Sequence, residues 1–335
     1  ILGALRGDHT LPVRKVFEDT VLAVLRKTSD TTAIKAIVDS ILTKVSTTSG
    51  NERKSLFRIL GVLGGEDVKA RLASVYNSKV DQEYQRDAMT AYLHWQNRSV
   101  LEEVEKIIET TEDVPLRKGA ERAYVRLVNL PGPEPLAERI PLWRKAFEYS
   151  QNPTDVRRLI TTLIEHPSPE TLALLKEWGA HPTHGALAKS AASTVEKSMQ
   201  GTDELKPGAP LKGNKARVQG DNRAAINSFL SSLTSWVSPE TWFTWNFKVA
   251  EAGSYFIEVE QATLNDEPSQ FIIYLAGKTL TGESKRTPTL EAFVPVRLSE
   301  PVDLVAGQIY SLVLTAGDRV QARMMDIGAI RLVKQ

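Results

Sequence analysis

Histidines, cysteines and paired carboxylates do most protein chemistry, and their spacing in this chain is informative mainly by what it fails to form. His181 and His184 stand three residues apart in His-Pro-Thr-His, close enough for two imidazoles to share a metal ion. No carboxylate or third imidazole follows at a recognisable spacing, and the intervening Pro reads as a turn between helices. His9, His94 and His166 are scattered, and none has a Ser or carboxylate partner whose spacing spells a triad. Glu102-Glu103 and Glu258/Glu260 are paired carboxylates on faces expected to be solvated. Glycoside hydrolysis instead needs two carboxyls facing each other across a gap of about 5–10 Å. Gly61-Val-Leu-Gly64-Gly65 lacks the Lys-Ser/Thr that completes a phosphate-binding loop. With no cysteine in the chain, disulfides, thiol nucleophiles, Cys-zinc sites and iron–sulfur clusters are removed from consideration. Asn97-Arg98-Ser99 fits the glycosylation pattern, which recurs often by chance. These spacings imply no catalytic residue, no metal and no cofactor.

The whole composition narrows the partners further. At 335 residues the chain is long enough for two domains, each with its own core. Hydrophobic content of 41% and charged content of 25% are ordinary for a globular protein. A formal net charge of +1 provides no global field toward nucleic acid or an anionic membrane, so no nucleic-acid partner is expected. No apolar run approaches the roughly 20 residues of a transmembrane segment. The chain opens on Ile1-Leu2-Gly3 without Met or a basic leader, which suits either a removed targeting segment or a piece of a longer protein.

The elements that would position any site fall into two kinds. Over residues 1–200 one helical pattern recurs, anchored at Arg14, Arg53, Arg86, Arg117 and Arg157. Three, six and seven residues after each anchor stand Phe17/Thr20/Val21, Leu56/Ile59/Leu60, Met89/Tyr92/Leu93, Ala120/Ala123/Tyr124 and Ile160/Leu163/Ile164. That spacing puts each set on one stripe of a helix. A weaker sixth copy starts at Ala188. Partner helices with similar stripes lie between, at Ile34–Ile41, Val100–Ile108 and Leu172–Trp178. Pro12 and Pro115 suit first-turn positions, while Asp113 and Asp155 suit helix starts, where a carboxylate meets free N–H groups. The repeated Arg is expected to reach an acid or carbonyl of the neighbouring repeat, as a structural ladder. A basic stripe for an anionic partner is the alternative, but each Arg has acids nearby and the overall charge is balanced.

Near residue 200 the hydrophobic period changes from helical to two. Residues 201–214 are rich in breakers and read as a linker. Strands are expected at 215–219, 242–249, 254–261, 270–275, 292–298, 308–315 and 327–332, as in an antiparallel sandwich over 215–335. Alternation puts Phe243, Trp245, Phe247 and Val249 on a core face, with Trp242, Thr244, Asn246 and Lys248 opposite. Tyr255, Ile257 and Val259, and later Tyr310, Leu312 and Leu314, also point inward.

Residues 1–200 resemble HEAT-like repeat proteins through Pro12-Val-Arg14, Asp113-Val-Pro-Leu-Arg117-Lys-Gly-Ala120 and Asp155-Val-Arg157. The stretch Arg117–Val128 is similar to HEAT-like arrays of large multidomain bacterial proteins with glycan-related neighbours. The remainder resembles carbohydrate-binding, galactose-binding-like jelly rolls through Trp236-Val-Ser-Pro-Glu-Thr-Trp242-Phe-Thr-Trp245, Ala252-Gly-Ser-Tyr255, Leu304-Val-Ala-Gly307 and Met324–Leu332. The implied fold class is α + β and multidomain: a right-handed α-α superhelix over 1–200, a linker over 201–214 and an antiparallel β-sandwich over 215–335. The implied role is a non-catalytic scaffold or binding region of a bacterial polysaccharide-processing protein in the periplasm or outside the cell. Such modules stack sugar faces on exposed aromatics, so the resemblance makes Trp242 the first candidate, followed by Trp236 and Tyr274. Besides a glycan, the alternative is a protein partner held by the solenoid. HEAT-like enzymes such as bilin lyases and DNA glycosylases provide a third reading, for which no supporting constellation stands in the sequence.

Overall fold

The computed structural model describes residues 11–27, 31–77, 81–150, 152–221 and 224–335; His9 and Ile1–Leu5 lie outside them. The chain divides into two compact units, residues 1–130 with 145–155 and residues 131–144 with 156–335. That division falls within the helices α8 (Leu136–Tyr149) and α9 (Pro153–Glu165). The change from helix to strand comes later, between Gly201 and Glu204.

The first unit holds α1 (Leu11–Lys27), α2 (Thr31–Val45), α3 (Gly50–Leu63), α4 (Glu66–Asn77), α5 (Gln82–Leu93), α6 (Leu101–Thr110) and α7 (Val114–Val128). Alternate helices pack on one another: α1 on α3, α3 on α5, α5 on α7, and α2 on α4. Their contact faces are the stripes of the Arg-anchored register, with Leu56, Ile59 and Leu60 of α3 and Ala120, Ala123 and Tyr124 of α7 buried. The α3–α5 crossing depends on Gly61, because a Cβ there would stand 2.1 Å from the Ala91 carbonyl oxygen. Local chemistry sets the helix ends. Asp113 caps α7 by accepting the Leu116 N–H at 3.0 Å, with Pro115 in the first turn.

Polar links then join alternate helices. Arg53 Nε donates to Asp87 Oδ2 at 2.7 Å between buried stretches of α3 and α5. Burial pushes the Asp87 carboxyl up, and the Arg53 guanidinium pulls it back down. Arg86 pairs with Asp113 at 2.6 Å, tying α5 to the start of α7. Between α1 and α3 the link is Arg58 with Glu18. Of the other repeated arginines, Arg14 and Arg117 are half-buried and Arg157 is exposed. Helix C-termini, which leave carbonyls without intrahelical partners, receive cations. Arg126 donates to Leu93 O and Trp95 O after α5, and Arg98 donates to Leu127 O at the end of α7.

The second unit adds α10 (Pro169–Trp178), α11 (Gly185–Gly201) and the strands. These are β1 (Glu204–Leu205), β2 (Pro210–Lys212), β3 (Arg217–Gly220), β4 (Ala225–Asn227), β5 (Ser232–Thr234), β6 (Thr241–Val249) and β7 (Gly253–Ala262). They continue with β8 (Gln270–Leu275), β9 (Lys278–Glu283), β10 (Val294–Arg297), β11 (Val302–Leu304), β12 (Ile309–Ala316) and β13 (Asp326–Lys334). One sheet runs β1-β6-β12-β8-β9, with β3 also on β6. The other runs β10-β7-β13-β5-β4, with β11 on β7 and β2 on β13. All pairings are antiparallel except β1 with β6. The expected linker is therefore partly taken up by the sheets, β1 joining one and β2 the other.

The core lies between the two sheets. Phe243, Trp245 and Phe247 of β6 face Tyr255, Ile257 and Val259 of β7 within one buried cluster, as strand alternation requires. In register, Leu312 stands opposite Trp245 and Tyr310 opposite Phe247.

The reverse face of the β6 sheet carries Arg217, Thr244, Asn246, Lys248 and Val313, and this face meets the unit's own helices. Arg217 Nη1 donates to Ile164 O and Asn246 Nδ2 to Glu165 O, each at 3.0 Å, at the end of α9. Lys248 Nζ donates to Met199 O at 3.1 Å in the last turn of α11. Cations and an amide from the sheet thus satisfy carbonyls at two helix C-termini, where positive charge also meets the negative end of the helix dipole. Thr244 and Val313 are buried on this face.

Candidate functional site

Where the helix ends leave the sheet face open, a cleft of about 920 Å³ lies within the second unit. One wall comes from the starts of α8 and α10. Pro133-Glu134-Pro135 leads into α8, with Pro135 O accepting the Glu138 N–H at 3.0 Å. Ser168 caps α10 reciprocally with Thr171: its Oγ accepts the Thr171 N–H at 3.1 Å, and its own N–H donates to Thr171 Oγ1 at 3.0 Å. Pro169 and the exposed Glu170 form the first turn. Behind this wall His166 stacks on Trp143 with ring centroids 6.0 Å apart, and the Arg139 guanidinium sits 4.5 Å from the same indole. The Arg139 side chain is thereby drawn toward the helical core.

The other wall belongs to the strands. Tyr274 of β8 is half-buried and faces the cleft, opposite Val313 of β12 in register. Beside it the β8–β9 turn, Ala276-Gly277, holds both residues at positive φ, 50° and 78°. Gln308 and Asp303 are exposed lining residues. Ser311 lines the same wall and its Oγ donates to Asn246 Oδ1 at 2.6 Å. Tyr310 also borders the cleft, with its hydroxyl accepting the Val305 N–H at 2.7 Å. Of the lining cations, Lys248 donates to Met199 O and Arg139 lies over Trp143. The carboxylates of Glu170 and Asp303 are exposed. An aromatic face among hydroxyl, amide and carboxylate groups can stack against an apolar ring face while accepting hydrogen bonds from hydroxyls around it.

Of the three aromatic candidates, the structure brings only Tyr274 to this cleft. Trp236 is 1% exposed and forms part of the sandwich core, in edge contact with Phe243 at 4.9 Å. Its indole N–H is satisfied by Ser238 O and Thr241 O, so it presents no face to a ligand. Trp242 lies opposite the core set, as its parity requires, but is half-buried and outside the cleft lining. Its Nε1 donates to Gln219 Oε1 at 2.7 Å. Its ring runs over Gly220, where a Cβ would come within 2.7 Å of it. The imidazoles of His181 and His184 stack at 5.1 Å, and His181 Nδ1 accepts the N–H groups of Thr183 and His184, which makes the pair a turn element. Burial lowers the His94 pKa to about 4, helped by Arg58 and Arg126. Sequence reasoning missed Glu170, Gln308 and the helical wall. Pro133-Glu-Pro and His166-Pro-Ser-Pro signal helix starts, but nothing local signals that these starts meet a strand.

No protein-family model matches the chain, and no curated protein matches it. Solved structures similar to it include an exo-beta-1,3-galactanase from Phanerochaete chrysosporium, 14% identical, covering 38% of this chain and 29% of that one, with a TM-score of 0.31. A GH26-CBM35 beta-(1,4)-mannanase from Podospora anserina is 12% identical, covering 38% of this chain and 28% of that one, with a TM-score of 0.31. A family 35 carbohydrate binding module from Clostridium thermocellum is 11% identical, covering 38% of this chain and 98% of that one, with a TM-score of 0.32. The chain thus spans less than a third of the length of the galactanase and mannanase chains.

Proposed function

We propose that this chain is a non-catalytic binding and scaffold region of a bacterial polysaccharide-processing protein acting in the periplasm or outside the cell, and that it holds a glycan in the cleft at Tyr274. The observation that carries this reading is the cleft itself. Its volume of about 920 Å³ falls within the ~300–1,000 Å³ of small-ligand sites. It combines a half-exposed aromatic with polar groups able to meet hydroxyls. Residues 1–200 are read as a HEAT-like right-handed superhelix that positions the strand-rich part, and residues 215–335 as a jelly-roll-type sandwich joined to it through 201–214. The alternate-helix packing of the first unit supports the repeat reading. Tyr274 replaces Trp242 as the central stacking residue because, of the two, Tyr274 lines the cleft.

Isothermal titration of the full chain with soluble neutral oligosaccharides of galactan, mannan and glucan tests this. Binding is expected to be weak and to fall about tenfold in Tyr274→Ala, with the far-ultraviolet circular dichroism of the parent retained. An unchanged affinity in Tyr274→Ala, or no heat with any of these sugars, overturns the reading.

A further inference from the structure

We infer that the glycan site is composite, gripping one neutral, hydroxyl-rich chain from the helical wall and the strand wall at once. This rests on the glycan reading above and adds both the second wall and the ligand class. On the reverse face of the β6 sheet, the stretch at Arg217, Asn246 and Lys248 is taken by the ends of α9 and α11. The part of that face left open is the cleft, and its lining comes from both kinds of element. Glu170 opens α10, whose start is fixed by the Ser168–Thr171 capping box and Pro169. Tyr274 and Gln308 stand on the strand side. A ligand stacked on Tyr274 in this cleft therefore meets the α10 start as its second wall.

The charge pattern chooses among glycans. Lys248 Nζ donates to a helix carbonyl and the Arg139 guanidinium lies over Trp143, so both lining cations are already held by the protein's own groups. Glu170 and Asp303 are exposed, and carboxylates accept hydrogen bonds from sugar hydroxyls strongly while repelling uronate groups. The fit is to galactan-, mannan- or glucan-type chains, and polyuronates are disfavoured.

Affinity electrophoresis of the full chain through native gels containing mannan, β-1,3-galactan or glucan tests this, with polygalacturonate and chitosan as anionic and cationic comparators. The parent is expected to be retarded by at least one neutral polymer and not by polygalacturonate. Glu170→Ala and Tyr274→Ala should each weaken retardation about tenfold, while Glu170→Gln, which keeps an acceptor, recovers most of it. Glu170 is exposed in a first turn, and an unchanged melting temperature confirms that its variants are folded. If Tyr274→Ala weakens binding and Glu170→Ala does not, the composite site is wrong and the glycan reading stands. If neutral polymers fail while chitosan or polygalacturonate retards the protein, the ligand class is wrong. If no polymer retards the parent, the glycan reading falls and this inference with it.

Discussion

Ala276 occupies a backbone conformation that suits glycine or asparagine better than alanine. At φ 50° its Cβ crowds its own carbonyl, and the next residue, Gly277 at φ 78°, completes a two-residue turn of the type that matches strand twist. Leu275 and Lys278 pair directly across it, so the turn fixes the register of β8 with β9 and hence the placement of Tyr274. The Ala276 side chain is exposed, so its methyl contributes little packing. Replacing it with Asn, which tolerates left-handed backbone, is expected to raise stability by about 0.5–1 kcal/mol. A higher urea midpoint with an unchanged slope would report this, and a lower midpoint would show that the methyl is packed after all. Trp236 makes the complementary point: its type suggested a sugar platform, but its indole N–H is satisfied inside the sandwich by Ser238 and Thr241.

Among the helices, the buried Arg53–Asp87 pair sets how α3 meets α5. Removing one member of such a pair strands the other charge in a poorly solvated site, which costs about 3–5 kcal/mol, whereas removing both costs far less. Arg53→Ala should therefore lower stability by roughly 3 kcal/mol, and the double variant with Asp87→Ala should regain a good part of that loss. A double-mutant cycle by chemical denaturation measures it; additive losses would show that the two side chains act independently. The apolar stripe that carries this pair was legible in the sequence because helical spacing is local. The same holds for the Asp113 cap and for the inward face of β6, where period two alone sorts Phe243, Trp245 and Phe247 from Trp242 and Asn246. Short strands were less legible. β1 and β2 span too few residues to show alternation, and their pairing is decided by β6 and β13, far along the chain. β9 was hidden because Ala276-Gly277 lacks the Asn-Gly or Asp-Gly signature of its turn. The cleft was illegible for the same physical reason on a larger scale. Glu170, Tyr274 and Gln308 become neighbours of one cavity only through helix-to-sheet packing, which no local pattern encodes.

At the scale of the molecule, the join between helices and sheet in the second unit is where acidity should be felt. Glu165 ends α9, and its main-chain oxygen is held by Asn246 of the sheet. Burial raises its carboxyl pKa from 4.5 to about 7, partly offset by Arg217. The negative end of the α9 dipole works in the same direction as burial. Because the folded-state pKa lies above the unfolded value, the folded protein keeps a proton that the unfolded chain has released. The associated stability is fully present below about pH 4.5 and is lost as the pH rises through about 7. With allowance for partial exposure, the loss amounts to roughly 2–3 kcal/mol. Glu165→Gln, which cannot ionise, should be more stable than the parent near pH 8 and should remove this part of the pH dependence. Since the group sits where α9 meets β6, the change should appear in the unfolding of the second unit, followed by the fluorescence of Trp245 and Trp242. Parallel stability profiles for parent and variant between pH 5 and 8 would show that Glu165 ionises normally and that the helix–sheet join does not respond to pH.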